Sequence, residues 1–240
     1  STGSPKGVMH SHESWLSGAL FTAEYFKVSP QQKIVIPLPL HHAYSFRHLI
    51  AYLLKGAAII ITKDVLSALR LLKQEEPNAL LLVPAACNII LKHFKELIEA
   101  CSPFLKLVSI GTAPIAEYQL HELQACLPQT QFVLPYGLTE ARVGFLRLAD
   151  DPSSRRIFAV QPGLEVRVLD RNNGTALPGE IGELVLRGDG LMAGYWPPDE
   201  QEKERLQQWG FATKDLGCLR ENGEIALRSR GEDLIDICGS

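Results

Sequence analysis

Residues 57–83 decide the fold class: they comprise AAIIIT at 57–62, a helical pattern over 64–76 and ALLLV at 79–83. Both apolar runs are short and continuous, which is typical of strands that are buried on both faces. Strands that are separated by helices form parallel βαβ units. The stretch therefore predicts a parallel sheet that is covered by helices.

The same alternation extends outward from this stretch as far as Tyr136. Three further apolar runs predict strands: IVIPL at 34–38, LKLVSI at 105–110 and QFVLP at 131–135. The remaining helical patterns lie at about 13–27, 44–55, 85–100 and 116–127. Sheets of this kind place their ligand sites at the carboxyl ends of the strands.

The pattern changes near Tyr136, and after about residue 142 strand signals dominate. Apolar and polar residues alternate in VGFLRL (143–148), LEVRVLD (164–170) and IGELVLRG (181–188). Hairpin turns are predicted at Asn172-Asn173-Gly174 and Glu221-Asn222-Gly223, since Asn and Gly tolerate positive φ. Only 199–208 resembles a helix. We therefore expect an α/β protein in which residues 1–150 form parallel βαβ layers with covering helices and residues 151–240 form a smaller, β-rich, barrel-like subdomain.

Composition excludes several classes of protein. The 240 residues are 46% hydrophobic and 21% charged, as in ordinary globular proteins, and the net charge of −3 argues against a nucleic-acid binder with a basic face. The five cysteines are widely spaced without a Cys-x-x-Cys pair, which favours free thiols in a reducing cytoplasm over a disulfide scaffold or a zinc ribbon. No apolar run reaches the ~18 residues of a membrane span.

The first eight residues, STGSPKGV, have the composition of a phosphate-binding loop. Glycines allow backbone N–H groups to approach phosphate oxygens, hydroxyl groups add donors, and Lys6 adds positive charge. The loop is not a Walker sequence, which would end in Gly-Lys-Ser/Thr before a helix. On composition alone, a disordered tail is the alternative interpretation.

Four later segments accompany this loop: PYGLTEA (135–141), GELVLRGDGLMAGYW (182–196), WGFATKDLGCL (209–219) and SRGEDLIDICG (229–239). Together with STGSPKGVMHSH at the start, they resemble, in order, the signatures of the adenylate-forming (AMP-binding) superfamily. That superfamily contains acyl-CoA synthetases, luciferases and peptide-synthetase adenylation domains. The resemblance implies a fragment of a longer enzyme, without its upstream part and without a small C-terminal domain that begins just past residue 232. Such a fragment is expected to be inactive in isolation.

The resemblance also implies a set of residues that bind ATP and Mg²⁺. Lys6 and the loop would hold the β- and γ-phosphates, Tyr136 would stack on adenine, Thr139 would contact the α-phosphate, and Glu140 would hold Mg²⁺. The alternative for the last motif is that Tyr136 is a core residue and Glu140 a solvated charge at a helix start. The nucleotide-binding set comprises Ser1, Thr2, Gly3, Ser4, Lys6, Gly7, Gly111, Thr112, Ala113, Pro114, Tyr136, Gly137, Thr139, Asp215 and Arg230.

Asp215 lies in a run similar to the family's Thr-Gly-Asp, whose aspartate accepts hydrogen bonds from both ribose hydroxyls. A carboxylate suits a vicinal diol because both of its oxygens are acceptors. Lys214 replaces the glycine of the pattern, which leaves the local backbone geometry open. By resemblance, Arg230 reaches the ribose or phosphate and Glu232 occupies the hinge position, while Asp236 stands where lysine is common.

His41, His42 and His48 lack Cys or acidic companions at ligand spacing, so the sequence does not favour a zinc site there. The segment LPLHHAY (38–44) instead resembles the family's Pro-Leu-x-His, in which His42 would line and gate the acyl site. The expected acyl-site residues are Tyr44, Ser45, Ile110, Gly137, Val143, Gly144 and Phe145.

The predicted function is ATP-dependent conversion of a carboxylic acid to acyl-AMP with release of pyrophosphate, followed by transfer to a thiol, chiefly coenzyme A. Lys6, Thr139, Glu140 and His42 are the candidate catalytic residues. Because the segment 38–44 carries no acidic residue to pair an ammonium, a fatty or aryl acid is expected rather than an amino acid. The alternatives are an adenylation domain that serves a carrier protein, and a nucleotide-binding relic without catalysis.

Overall fold

The computed structural model describes residues 6–147, 157–170, 172, 174–198, 200, 203–204, 206, 210–221 and 224–230. At residues 147, 157–159 and 228–230 only the backbone is described. Contacts divide the chain into two compact units. The parallel-sheet unit is Gly18–Pro135, and the β-rich unit combines Ser1–Ser17 with Tyr136–Ser240.

The first half of the chain alternates strands and helices: β1 (Gly7–Met9), α1 (His12–Tyr25), β2 (Lys33–Ile36), α2 (Ala43–Leu54), β3 (Ala58–Ile61), α3 (Val65–Glu75), β4 (Ala79–Leu82), α4 (Pro84–His93), α5 (Lys95–Glu99), β5 (Leu107–Ile110) and α6 (Glu117–Cys126). The second half contains strands: β6 (Gln131–Gly137), β7 (Arg142–Arg147), β8 (Ile157–Val160), β9 (Leu164–Leu169), β10 (Ile181–Gly188), β11 (Gly194–Trp196), β12 (Phe211–Leu219) and β13 (Ile225–Arg230).

The parallel-sheet unit confirms the βαβ prediction. Its strands lie in the order β3-β2-β4-β5-β6, and each described pair is parallel. All four residues of β4 and all four of β5 are buried, which explains why these runs are continuously apolar. The connecting helices begin where the pattern predicts them. At α3, for example, the Asp64 carboxylate accepts a 2.7 Å hydrogen bond from the Ser67 amide.

One helix prediction needs correction. The pattern over 85–100 predicts a single helix, whereas the structure has α4 and α5 with a break at Phe94. The backbone of Phe94 leaves the helical region, with φ −136° and ψ 25°, although its amide still donates to the Ile90 carbonyl at 2.8 Å. Apolar periodicity continues across such a break, so it does not reveal it.

The β-rich unit holds two antiparallel sheets. β1 pairs with β11, and a larger sheet has the order β7-β8-β13-β12-β10-β9. The predicted turn after β9 is confirmed, since Oδ1 of Asp170 accepts from the amides of Asn172 and Gly174. The second predicted turn joins β12 to β13, where the amide of Arg220 donates to the carbonyl of Glu224 at 2.8 Å. Asn222 and Gly223 themselves lie outside the described residues.

The compact units divide the chain at Pro135 and Tyr136, where the sequence pattern changes, and they add the first 17 residues to the β-rich part. The domain boundary near residue 150 stays a prediction. Most of the helical pattern at 199–208 lies outside the described residues. Within the described part of the chain, no helix combines the length and the apolar character that crossing a membrane requires.

Candidate functional site

A tight turn at the end of β6 presents Thr139 and Glu140. The amide of Leu138 donates to the carbonyl of Ala141 at 2.8 Å, and β7 follows directly. At Gly137 a Cβ would lie 2.9 Å from the Ala141 carbonyl oxygen, so the turn has no room for a side chain there. Glu140 therefore precedes a strand, and the alternative of a charge at a helix start is wrong.

Tyr136 is hydrogen-bonded to Asp215. The Tyr136 hydroxyl donates a 2.6 Å hydrogen bond to Oδ2 of Asp215. Tyr136 is only 8% exposed and belongs to the core of the β-rich unit, with Ala141, Val143 and Leu184 among its companions. Tyr136 therefore has the core position of the alternative interpretation, and stacking of its ring on adenine stays a prediction.

The backbone around Asp215 is held by a bulge in β12. Pairing with β10 shifts register between Glu183 and Val185. Lys214 at the bulge has φ +63°, in the left-handed region that favours glycine, and its amide donates to Glu183 Oε1 at 2.9 Å. The hydroxyl of buried Thr213 accepts from the Asp215 amide at 3.0 Å. The conformation that a glycine would adopt is thus present despite the lysine, and bulges of this kind direct side chains near active sites.

A second group of contacts centres on Tyr195, which the sequence analysis quoted in a motif without giving it a role. The Lys6 ammonium lies 5.2 Å from the centre of the Tyr195 ring. The Tyr195 hydroxyl donates to Oε1 of Glu140 at 2.9 Å. The phosphate-loop cation and the proposed metal carboxylate therefore both contact Tyr195.

The register of β1 with β11 explains this grouping. Gly7 pairs with Trp196, Val8 with Tyr195 and Met9 with Gly194. This pairing brings the end of the glycine-rich loop to the third sequence motif. A local pattern carries no information about such a long-range pair, so the sequence analysis missed it.

His10 is a second residue that the sequence analysis quoted without a role. Its Nε2 lies 2.7 Å from the carbonyl oxygen of Thr139, and its Nδ1 lies 3.2 Å from Oγ of Ser14. The ring also meets Trp15 edge-on at 5.4 Å between centroids. Because a carbonyl oxygen only accepts, His10 donates from Nε2 and thereby ties the 138–141 turn to the start of α1.

Other predicted residues of the β-rich unit are only partly described. The backbone of Arg230 lies opposite Asp215 in the β12–β13 register. Ser1, Thr2, Gly3, Ser4, Glu232 and Asp236 lie outside the described residues, and their roles stay predictions.

The parallel-sheet unit contains the segment Gly111-Thr112-Ala113-Pro114, directly after β5. Thr112 has a left-handed φ of 73°, and α6 begins later, with Ala116 at its N-cap, so Thr112 does not cap the helix. A Cβ at Gly111 would lie 2.7 Å from the Tyr44 ring. The Tyr44 hydroxyl in turn donates to Oγ of Ser109 at 2.8 Å. The segment is thus a tight turn at the carboxyl end of a strand, where ligand sites of such sheets lie.

His42 is the N-cap residue of α2. Its carbonyl accepts a hydrogen bond from the Phe46 amide at 3.0 Å, and its side chain makes no cap hydrogen bond. Its ring is exposed, and the ring centroids of His42 and His41 lie 4.3 Å apart.

Of the other expected acyl-site residues, Tyr44, Ser45 and Ile110 are buried in the parallel-sheet unit. Val143 and Phe145 are fully buried in the β-rich unit.

The donor set fits a nucleotide-bound magnesium ion better than a protein-enclosed metal. Among the described residues, no group of three or more His, Cys, Asp or Glu side chains could hold a metal ion. Mg²⁺ in nucleotide sites is commonly held by one or two carboxylates together with substrate phosphates and water. Glu140, presented at a turn and hydrogen-bonded to Tyr195, offers one such carboxylate.

Comparisons with known proteins identify the family to which the chain is similar. The profile of the AMP-binding enzyme family matches residues 1–196. Acyl-CoA synthetase 7 of Caenorhabditis elegans is 30% identical over 250 residues, covering 98% of this chain and 46% of that protein. Long-chain-fatty-acid–CoA ligase FadD13 of Mycobacterium tuberculosis is 27% identical over 238 residues, covering 98% of this chain and 47% of that protein. The chain thus spans about half the length of these curated relatives.

A solved structure shows the same fold. ATP-bound MatB from Rhodopseudomonas palustris superposes with a TM-score of 0.83 at 24% identity, covering 98% of this chain and 47% of that one. The α/β class that the sequence predicts is therefore confirmed.

Proposed function

The chain belongs to the AMP-binding enzyme family, and on that premise we propose that it supplies the nucleotide site for ATP-dependent activation of a carboxylic acid. The product would be acyl-AMP, with pyrophosphate released, and a thiol would then take the acyl group. The observation that carries this proposal is the contact of both Lys6 and Glu140 with Tyr195, because a site for ATP with Mg²⁺ uses a cation for the phosphates and a carboxylate for the metal ion.

In the first half-reaction, a carboxylate oxygen of the acid attacks the α-phosphorus of ATP. The bond between the α-phosphorus and the oxygen that bridges to the β-phosphate breaks, and pyrophosphate leaves. The chain's contribution is positional and electrostatic. Lys6 and the loop amides would bind the leaving β- and γ-phosphates. Thr139, whose carbonyl is fixed by His10, would direct its hydroxyl to the α-phosphate.

The nucleoside would be held by Tyr136 and Asp215. In this proposal the Tyr136 ring would stack on adenine, and the Asp215 carboxylate would accept hydrogen bonds from the ribose hydroxyls. Oδ2 of Asp215 already accepts one hydrogen bond from Tyr136, which fixes the orientation of the carboxylate. Gly7, Gly137 and Arg230 complete the proposed set in this unit. In the parallel-sheet unit, Gly111–Pro114 is the proposed adenine-flanking turn.

Glu140 would hold Mg²⁺ together with phosphate oxygens, and the ion would neutralise charge on the phosphates. We propose His42 at the acyl site of the same reaction, where its exposed ring would gate entry of the acid.

Coenzyme A is the proposed acceptor, and a fatty or aryl acid the proposed substrate. The names of the two relatives support this choice, since both describe acyl-CoA-forming enzymes and one specifies a long-chain fatty acid. Transfer to a carrier protein is the second candidate for the acceptor. A location in the cytoplasm stays a prediction.

ATP–pyrophosphate exchange in the full-length protein tests this proposal. A panel of fatty, aryl and amino acids should produce exchange with at least one of the first two classes. Adding coenzyme A to the responsive acid should then release AMP and form a thioester. Nucleotide binding without exchange for any acid would contradict the proposed enzymatic activity and favour a nucleotide-binding relic without catalysis.

A further inference from the structure

Tyr195 connects three parts of the β-rich unit that are distant in sequence. Its backbone lies in β11, opposite Val8 of β1. Just before β11, the amide of Ala193 donates to the Met9 carbonyl at 2.7 Å, and the amide of Met192 donates to the Glu140 carbonyl at 2.8 Å. The start of β11 is therefore fixed to the loop strand on one side and to the 138–141 turn on the other.

The Tyr195 side chain repeats this connection with its two ends. The ring face lies under the Lys6 ammonium at 5.2 Å, and the hydroxyl donates to Glu140 Oε1 at 2.9 Å. A phenol suits this position because its face attracts cations and its hydroxyl donates to carboxylates. Tyr195 is thereby a neutral partner for both charges. A phosphate can displace or supplement it at Lys6, and a metal ion can do so at Glu140.

The geometry points to Tyr195 as a positioning residue that orients the Glu140 carboxylate for Mg²⁺ and supports the Lys6 ammonium for phosphate. This inference rests on the proposed function and extends it to a residue outside the predicted site. Partners of metal-binding side chains orient those side chains, and losing such a partner typically lowers metal affinity about 10- to 100-fold.

The two ends of the side chain can be tested separately. Tyr195→Phe keeps the ring face and removes only the hydroxyl. Tyr195→Leu removes both. Tyr118→Phe is the matched control, because Tyr118 lies on α6 and is 61% exposed.

ATP binding to the full-length protein is measured by calorimetry, first in EDTA and then over a series of Mg²⁺ concentrations. With Tyr195→Phe we expect unchanged affinity in EDTA and about a ten-fold higher Mg²⁺ concentration for half-maximal strengthening of ATP binding. With Tyr195→Leu we expect, in addition, that the affinity for ATP in EDTA falls about two- to five-fold, since the Lys6 ammonium loses its contact with the aromatic ring. The control should match the wild type throughout.

The outcomes distinguish this inference from the proposal beneath it. An unchanged Mg²⁺ midpoint in Tyr195→Phe would overturn the positioning role alone. An equal loss of affinity with and without Mg²⁺ in that variant would also overturn it, because it would indicate general damage to the site. Absence of ATP binding in the wild type would overturn the proposed function, and this inference with it.

Discussion

The hydroxyl of Tyr136 donates to the carboxylate of Asp215 across 79 positions of sequence, at 2.6 Å. One end of this pair lies at the end of β6 and the other in the bulge of β12. The bond fixes the carboxylate before any ligand arrives, so we expect the pair to define the nucleoside end of the site.

Replacing Asp215 with alanine should weaken ATP binding and slow adenylation. Loss of a charged hydrogen-bonding partner costs about 1.5–3 kcal/mol, or roughly ten- to a hundred-fold in affinity. The measurement is ATP affinity by calorimetry, together with the exchange rate. Asp170→Ala is the control, because Asp170 also accepts backbone hydrogen bonds but lies at the turn after β9. Equal affinities of Asp215→Ala and the control would remove Asp215 from the ribose site.

Substitutions at Lys214 should separate backbone strain from side-chain chemistry. A non-glycine residue in the left-handed region costs about 1–2 kcal/mol, and β-branched residues tolerate it worst. We expect Lys214→Val to lower the free energy of unfolding by about 1–2 kcal/mol, and Lys214→Gly to leave it unchanged or raise it. Urea denaturation measures both variants. Equal stability of the valine and glycine variants would show that φ +63° at this position is not maintained in solution.

Buried cysteines should make stability fall in alkali. Burial raises the pKa of the Cys87 thiol from 9.0 to about 12 and that of Cys101 from 9.0 to about 11. Above pH 9 the unfolded chain loses these protons before the folded one does, so the unfolded state is favoured as pH rises. We expect the free energy of unfolding to decrease between pH 9 and pH 11, and less steeply in a Cys87→Ala variant.

The same burial should protect the thiol from alkylation. At pH 8, iodoacetamide should label Cys87 in denaturant and leave it unlabelled in the folded protein, as mass spectrometry of the peptides would show. Rapid labelling of the native protein at Cys87 would contradict its burial.

The substrate should be a plain carboxylic acid. The segment Leu38–Tyr44 has no acidic residue, so a buried substrate ammonium would lack a partner there. We expect faster ATP–pyrophosphate exchange with 3-phenylpropanoate than with phenylalanine, two acids that differ only in the amino group. Faster exchange with phenylalanine would contradict this assignment.

Local pattern predicted those parts of the fold that depend on local chemistry. Continuous apolar runs predicted the parallel strands, and the Asn-Gly turn after β9 formed as expected because Asp170 satisfies its amides. The break at Phe94 was missed, since apolar periodicity continues through it. The sequence could not predict the backbone conformation at Lys214, where the family's pattern has glycine. The structure shows that the carboxylate of Glu183, on a neighbouring strand, accepts a hydrogen bond from the Lys214 amide.

The same distinction applies to the candidate site. Lys6, Glu140, Tyr136 and Asp215 were predicted because each lies in a recognisable motif. Tyr195 and His10 were not given roles, since their contacts arise from strand pairing and from a turn that is distant in sequence. Tyr195 and Trp196 are the two aromatic residues of a motif whose other residues are mostly small or aliphatic, and this contrast was the available signal for Tyr195.

The pairing of β1 with β11 also affects the order in which the chain folds during synthesis. β1 is synthesised before the parallel-sheet unit, whereas its partner, Gly194–Trp196, is synthesised only after that whole unit. Contacts between such distant segments form slowly, because a long loop must close before they contribute. We therefore expect the parallel sheet to acquire its order first during synthesis. β1 should remain unpaired until β11 has been synthesised, so a nascent chain stalled before β11 would expose β1 to proteases.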